Sequence, residues 1–250
     1  MYEKTNGIVL RETDYKDKDK ILTLLTAEHG KITVKARGVK GTHSKSKAAC
    51  QLLAYSEFNL YEQQGRYTAT ETVTREIFPE LRNDIELLSL ASYFAQVADV
   101  VAQENDPAPE LLSLLLNALY ALAKLKKPQR LVKAVFELRI ACISGFLPDL
   151  RGCALCGNTA PDRFNISQGF LQCATCNSEE ARGIRMPIGT GTLQAMRYIC
   201  SCDSRKLFSF QLGEVSVREL AQITESYLSM RLERGFYTLD FYKSLFFEEQ

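Results

Sequence analysis

Two periods of apolar spacing divide the chain. Between residues 5 and 78 apolar and polar positions tend to alternate, the period of half-buried strands. Asn6–Tyr15 reads as a first strand. Lys20–Thr26 reads as a second, entered through the polar turn Lys16–Asp19. Glu28-His29-Gly30 makes a tight connection to Lys31–Arg37, where Ile32, Val34 and Ala36 alternate with Lys31, Thr33, Lys35 and Arg37. That alternation sends the apolar side chains to a core and sets a row of cations, about 7 Å apart, on the opposite face. Gly38–Lys47 has Val39 as its only hydrophobic anchor and is expected to be a mobile loop suited to a phosphate backbone. It lacks the glycine-to-Gly-Lys-Ser/Thr spacing of a P-loop. Leu52–Tyr61 and Tyr67–Ile77 form a hairpin through Gln63-Gln64-Gly65. Five short strands around one extended loop fit a small Greek-key barrel of the OB type, with an SH3-like barrel as runner-up.

After Pro79 the period becomes helical. Leu87, Leu90, Phe94, Val97 and Val101 mark an amphipathic helix over about residues 83–103. Asp106-Pro107 is expected to cap a second helix, Leu111–Leu125, apolar nearly all round and hence central. Pro128 opens a third, Leu131–Ile143, which stops at Gly145-Phe146-Leu147-Pro148. A shorter helix is expected over Thr190–Tyr198. Ser216-Val217-Arg218-Glu219 reads as the capping box of a last long helix reaching about Arg234, and the aromatic tail Thr238–Phe246 is expected to fold back onto the helices. The fold class is α+β: an OB-type barrel at 1–79 that binds nucleic acid, then an α-helical domain at 80–250 carrying a cysteine module at 150–182.

That module holds the strongest single motif. Cys153-Ala154-Leu155-Cys156 and Cys173-Ala174-Thr175-Cys176 are two Cys-x-x-Cys pairs with residues 157–172 between them. Four thiolates gathered by two tight turns make a tetrahedral S4 site suited to one structural Zn²⁺, and the spacing is that of a zinc ribbon or knuckle. Gly157-Asn158 and Asn177-Ser178 follow the pairs, and Ser167-Gln168-Gly169 can reverse a hairpin between Arg163–Ile166 and Phe170–Gln172. An iron–sulfur cluster, a redox Cys-x-x-Cys and four unrelated thiols are the alternatives. Cys50 and Cys142 read as buried small hydrophobes, and Cys200-Ser201-Cys202 as incidental.

Composition changes this picture in one respect. The net charge of +1 hides an acid-free stretch from Lys31 to Ser56 that holds Lys31, Lys35, Arg37, Lys40, His43, Lys45 and Lys47. Acids gather later, at Asp84, Glu86, Asp99, Glu104, Asp106, Glu110 and Glu248-Glu249. A locally basic face on a near-neutral protein is the footprint of a polyanion. No apolar run is long enough to span a bilayer, and Met1–Thr5 lacks a signal-peptide layout, so a reducing cytoplasm is expected. With only His29 and His43, raw material for a His-based triad is scarce, and four thiolates close a zinc shell against substrate water. An enzyme is not expected. Arg151, Arg163, Arg182 and Arg185 flank the module and can offset its negative charge or touch DNA.

The segments Gly7–Tyr15, Asp19–Thr26, Glu28–Lys31 and Ala36–Lys40 resemble the N-terminal signature of the bacterial RecO family of recombination-repair proteins. Phe136–Arg139 with Gly145–Pro148, followed by Cys-x-x-Cys-Gly, resembles its C-terminal part, in the zinc-bearing branch. The resemblance implies a non-enzymatic mediator of RecFOR-type repair. Such a protein binds single- and double-stranded DNA, anneals complementary strands, engages single-stranded-DNA-binding protein, and with RecR helps load RecA in the bacterial cytoplasm at the nucleoid. On this reading Lys31, Lys35, Arg37, Lys40, Lys45, Lys47 and Arg66 neutralise phosphates, while Tyr55, Tyr61 and Tyr67 either stack on bases or pack the barrel. The acidic, apolar-ended tail of the single-stranded-DNA-binding protein is assigned to a second basic cluster, Lys126, Lys127, Arg130, Lys133 and Arg139, with Lys124 nearby in sequence. A zinc-ribbon transcription or translation accessory factor without annealing activity is the rival, and a thiol-redox enzyme a distant third.

Overall fold

A computed structural model describes residues 1–42, 44–176 and 182–246. His43, the Asn177-Ser178 turn and Glu248-Glu249 lie outside the described residues. Strands β1 (Tyr2–Tyr15), β2 (Asp19–Thr26), β3 (Gly30–Ala36), β4 (Tyr55–Gln63) and β5 (Arg66–Glu76) close into a barrel of order β1-β2-β3-β5-β4. All neighbours are antiparallel except β3 and β5. The OB-type barrel is therefore as expected. β1 starts earlier than the alternation suggests because its first half pairs with β4 and its second half with β2. A bulge between Val9 and Arg11 breaks the period, so Ile8, Val9 and Leu10 are buried in succession. Val9, Leu22, Leu24, Ile32, Val34, Phe58 and Leu60 fill the interior, with Cys50 among them.

On either side of His43 the Gly38–Lys47 segment is built of turns, over residues 37–42 and 45–50, rather than hung from one residue. Gly41 and Ser44 donate N–H groups back to the carbonyls of Gly38 and Gly41. Val39 is anchored in the core as expected, and Ala49, Cys50, Leu53 and Ala54 bury the return to β4. Small and mixed apolar residues without a period gave no sign of that second anchor.

The chain gathers into two compact units, residues 1–124 with 236–250, and residues 125–235. In the first unit the barrel is joined by α1 (Pro79–Arg82), α2 (Ile85–Val101), α3 (Pro109–Ala123) and α7 (Tyr237–Ser244). Asp84 caps α2, accepting from the N–H groups of Glu86 and Leu87. The expected Asp106-Pro107 cap is displaced: Ala108 holds the cap position of α3 and Pro109 its first turn, where a missing N–H costs nothing. Gly30, at φ +59, closes the β2–β3 turn against the α2–α3 connection, where a Cβ would meet Asp106 O at 2.0 Å. Lys31 N–H donates to Gln103 O at 3.0 Å and Ala108 N–H to Ala27 O at 3.0 Å, tying that turn to the helices. The aromatic tail folds back as α7 onto α2, with Thr238 Oγ1 donating to Gln96 Oε1 and Tyr93 edge-on to Phe236.

The second unit holds α4 (Gln129–Ile143), α5 (Thr190–Ser201) and α6 (Glu214–Leu232), with a four-stranded sheet inserted between α4 and α5 in the sequence. α5 runs one turn further than expected. The capping-box reading of Ser216 and Glu219 fails, because α6 begins earlier, at Glu214 with Gly213 as its cap. The Glu219 carboxylate instead accepts from Gly189 N–H at 2.9 Å and from the Thr192 hydroxyl, serving the N-terminus of α5. α4 is buried along most of its length, Lys133 and Glu137 included.

Candidate metal centre and nucleic-acid interface

The inserted sheet has the order β6-β8-β7-β9, from β6 (Asp149–Cys153), β7 (Arg163–Asn165), β8 (Phe170–Gln172) and β9 (Arg185–Pro187). β6 and β8 are parallel neighbours, so their C-terminal ends lie side by side and deliver Cys153 and Cys173 to one place. Each strand then turns through its Cys-x-x-Cys. Gly157 N–H donates to Cys153 O at 2.9 Å and Cys176 N–H to Cys173 O at 3.1 Å, closing the two knuckles. Gly157 takes φ +75, and a Cβ on Gly152 would meet Asn158 O at 2.9 Å, so both backbones need glycine.

The four cysteine ligand atoms lie within 4.8 Å of one another, and Cys156 Sγ is 3.8 Å from Cys173 Sγ. A tetrahedron with metal–sulfur bonds of about 2.3 Å has edges of about 3.8 Å. The quartet can therefore hold a metal ion, and the donor set fits a soft or borderline cation. Its protons report the same thing. Burial works to raise the Cys153 thiol, but the N–H groups of Cys156, Cys173 and Leu155 outweigh it and bring it down to about 6. The hydrogen bond to Cys156, with burial, pushes the Cys176 thiol up to about 12. The Cys153 thiolate is favoured while those of Cys173 and Cys176 are opposed, the behaviour of clustered thiols without a cation to neutralise them.

The module also has a core. Phe164 and Leu171 are fully buried, and Phe164 meets Tyr227 of α6 edge-on with ring centroids 5.4 Å apart. Burying one such ring contributes about 1.5–3 kcal/mol. Arg197 of α5 donates to the carbonyls of Leu150, Arg151 and Thr159, and Asp162 accepts from Ala174 N–H in the second knuckle. Of the flanking arginines, Arg151 pairs with Asp149 at 2.6 Å and Arg163 with Asp162 at 3.3 Å. Arg182 and Arg185 are exposed.

On the barrel, the basic residues divide into two groups. Lys31 Nζ donates to Asp99 O at 2.6 Å and lies 3.4 Å from its carboxylate. Lys35 is 3.3 Å from Asp19, and Lys40 is 2.8 Å from Asp14. The acid-free stretch thus acquires acids from β1, the start of β2 and α2, partners that no local window contains. Arg37, Lys45, Lys47 and Arg66 are exposed, with no ion pair among the described residues. Asp19 also accepts Gly38 N–H at 2.9 Å, and Lys40 N–H donates to Lys18 O, so the β1–β2 turn carries the start of the basic loop.

An aromatic residue absent from the sequence candidates stands there too. Tyr15 is 41% exposed, with Lys35 Nζ 5.1 Å and Lys16 Nζ 5.5 Å from its ring centroid. Its position directly before a Lys-Asp-Lys-Asp turn was the available signal. Of the tyrosines named from sequence, Tyr67 packs against the barrel core, Tyr55 is partly buried, and Tyr61 lies 5.1 Å from the exposed ring of Tyr2.

The second basic cluster is dispersed in its use. Lys133 is 5% exposed and is held 2.7 Å from both Glu137 and Glu225. Arg139 donates to the Ile199 and Cys200 carbonyls at the end of α5. Lys126 and Arg130 are exposed and Lys127 partly so.

A family model described as "Recombination protein O N terminal" matches residues 1–78, and one described as "Recombination protein O C terminal" matches residues 82–240. The chain is 35% identical over 247 residues to a DNA repair protein RecO of Acetivibrio thermocellus, covering 98% of this chain and 97% of that one. It is 29% identical over 248 residues to the protein of that name in Alkaliphilus metalliredigens, covering 98% of this chain and all of the other. With the Bacillus pumilus protein of that name it shares 30% identity over 228 residues, 91% of this chain and 88% of that one.

Proposed function

This chain belongs to the recombination protein O (RecO) family of DNA repair proteins, and on that premise we propose that it is a non-catalytic mediator of RecFOR-type repair. It binds single- and double-stranded DNA, anneals complementary strands and, with RecR, helps load RecA onto DNA coated with single-stranded-DNA-binding protein in the bacterial cytoplasm. The barrel, 1–79, takes the DNA. The helical remainder, 80–250, carries partner contacts and the cysteine module, 150–182.

The observation that carries this reading is the gathering of Lys16 and Lys35 about the exposed ring of Tyr15, with Lys40 on the adjacent Asp14. Arg37, Lys45, Lys47 and Arg66 are exposed, Lys40 is held by the exposed carboxylate of Asp14, and Lys35 by the mostly buried carboxylate of Asp19, contacts that phosphates can replace. Lys31, tied to α2, serves as a more distant charge. Tyr15 offers a flat surface that stacks on any base, and annealing requires neutralisation of two strands without sequence readout. The ion in the cysteine quartet is proposed to be one structural Zn²⁺, held by Cys153, Cys156, Cys173 and Cys176. It would supply the charge that lets all four thiols ionise together. For the acidic tail of the single-stranded-DNA-binding protein, Lys126, Lys127 and Arg130 remain the candidates, with Lys133 and Arg139 acting inside their own unit.

Annealing of two complementary labelled oligonucleotides tests the reading and separates it from a zinc-ribbon accessory factor. A mediator accelerates duplex formation at low salt, whereas a protein that binds DNA without accelerating it refutes the mediator role.

A further inference from the structure

Two cysteines outside the quartet, read from the sequence as a buried hydrophobe and an incidental residue, meet in the fold. Cys142 lies in the last turn of α4 and Cys200 in the last turn of α5, and their Sγ atoms are 3.7 Å apart. Both side chains are partly exposed, unlike Cys50, which is sealed in the barrel. Arg139 sits one turn before Cys142 and donates to the carbonyls of Ile199 and Cys200 at 3.2 and 3.1 Å, which fixes the end of α5 against α4. Forming a disulfide requires the sulfurs to close to about 2.05 Å, a change that side-chain rotation on two held helix ends can supply.

We propose that Cys142 and Cys200 are a peroxide-reactive thiol pair whose reversible disulfide clasps α4 to α5 at the base of the cysteine module. The assignment rests on placement: two sulfurs in contact on partly exposed residues, a guanidinium beside them, and the whole module, β6 to β9, between them in the sequence. The proton they share supports it. Hydrogen bonding with Cys200, against burial and with help from the Arg139 charge, brings the Cys142 thiol below its usual range. The same hydrogen bond, with burial, pushes Cys200 up. On this proposal Cys142, with the Arg139 guanidinium one turn before it on α4, takes the nucleophile's part and Cys200 resolves.

The oxidant is hydrogen peroxide. The Cys142 thiolate attacks a peroxide oxygen, the O–O bond breaks, and the departing hydroxide takes up the thiol's proton as water. The resulting sulfenic acid is attacked by the Cys200 sulfur, and its hydroxyl leaves with the Cys200 proton as a second water. Two thiols give up two electrons and two protons, and one peroxide becomes two waters. A dithiol reductant reverses the bond. Once formed, the bond closes the module's two ends, so it would hold the excursion at its base if the metal were lost.

The test treats the full-length, metal-loaded protein with stoichiometric hydrogen peroxide, then blocks free thiols and digests with trypsin. Cleavage after Arg139, Arg151, Arg197 and Arg205 isolates Ile140–Arg151, which holds Cys142, and Tyr198–Arg205, which holds Cys200 and Cys202. The expected product is these two peptides joined, about 2 Da lighter than their sum, formed about tenfold faster than oxidation of the quartet. The link survives in Cys202→Ser and disappears in Cys142→Ser. The proposal is overturned if the wild-type map shows Cys142 still blocked while the quartet oxidises, or a bond from Cys142 to Cys202. Fragmentation of the joined wild-type peptides places the bond at Cys200 or Cys202, so the wild-type protein decides without relying on any variant to fold.

Discussion

Lys35 Nζ lies 3.3 Å from the Asp19 carboxylate, so the cation at the centre of the basic stretch already has an anionic neighbour before DNA arrives. The same carboxylate accepts the Gly38 N–H and thereby holds the start of the basic loop. Asp19 thus both shapes the face and competes for its charge. Asp19→Asn keeps most of the shape and removes the competitor. Its affinity for a single-stranded oligonucleotide at low salt should rise about two- to fivefold, and the gain should vanish at high salt. Fluorescence anisotropy over a salt series measures this.

The Gly38 N–H first, then Lys35, hold the Asp19 carboxyl below its ordinary value. A carboxylate depressed in the folded state contributes stability above the unfolded value near 4, and loses it as pH falls through the folded value. Acid should therefore unfold the wild type along a steeper pH profile than Asp19→Asn between about pH 4 and the folded value. Urea midpoints across that window would show it.

Tyr15→Ala should weaken single-stranded DNA binding by about 1–3 kcal/mol, or roughly five- to hundredfold, if one base stacks there. Tyr15→Phe should retain nearly all of it, because the ring does the stacking. Equal losses in the two variants would remove Tyr15 from the interface.

Lys133 is buried between Glu137 and Glu225, and Glu137 also accepts from the Thr224 hydroxyl at 2.9 Å. Those carboxylates raise the Lys133 ammonium above its usual range although burial opposes it, so α4 and α6 are joined by a charged network. Lys133→Met leaves two carboxylates facing an apolar group and should cost about 3–5 kcal/mol. Lys133→Met with Glu137→Met should recover most of that loss in urea unfolding.

Cys173→Ser opens the proposed zinc shell. Metal analysis should fall from one zinc per chain to substoichiometric content, and limited proteolysis should cut the 150–182 segment first. Phe164 and Leu171 are still buried against their neighbours, so the rest of the unit should keep its helical signal.

The barrel and the quartet were legible because each rests on local patterns: strand alternation around β3, and two Cys-x-x-Cys pairs at ribbon spacing. What escaped was tertiary. Cys142 and Cys200 are separated by the whole module, and only the approach of α4 and α5 makes them neighbours. Lys133 reads in sequence as part of a basic cluster for an acidic tail, yet its helix is buried and its partner Glu225 lies on α6. Asp99 and Asp19 neutralise Lys31 and Lys35 from elements that a local charge count cannot join to β3. The Ser216–Glu219 pattern matched a capping box by spacing, but the glutamate caps α5 in space.

The central claim is that the cationic edge of the barrel binds DNA through phosphates. The most direct test is the slope of log affinity against log salt for Lys35→Glu/Arg37→Glu beside wild type, on one single-stranded oligonucleotide. Removal of two phosphate contacts should weaken binding at low salt and flatten the slope by about 1.4. An unchanged affinity with an unchanged slope would contradict it.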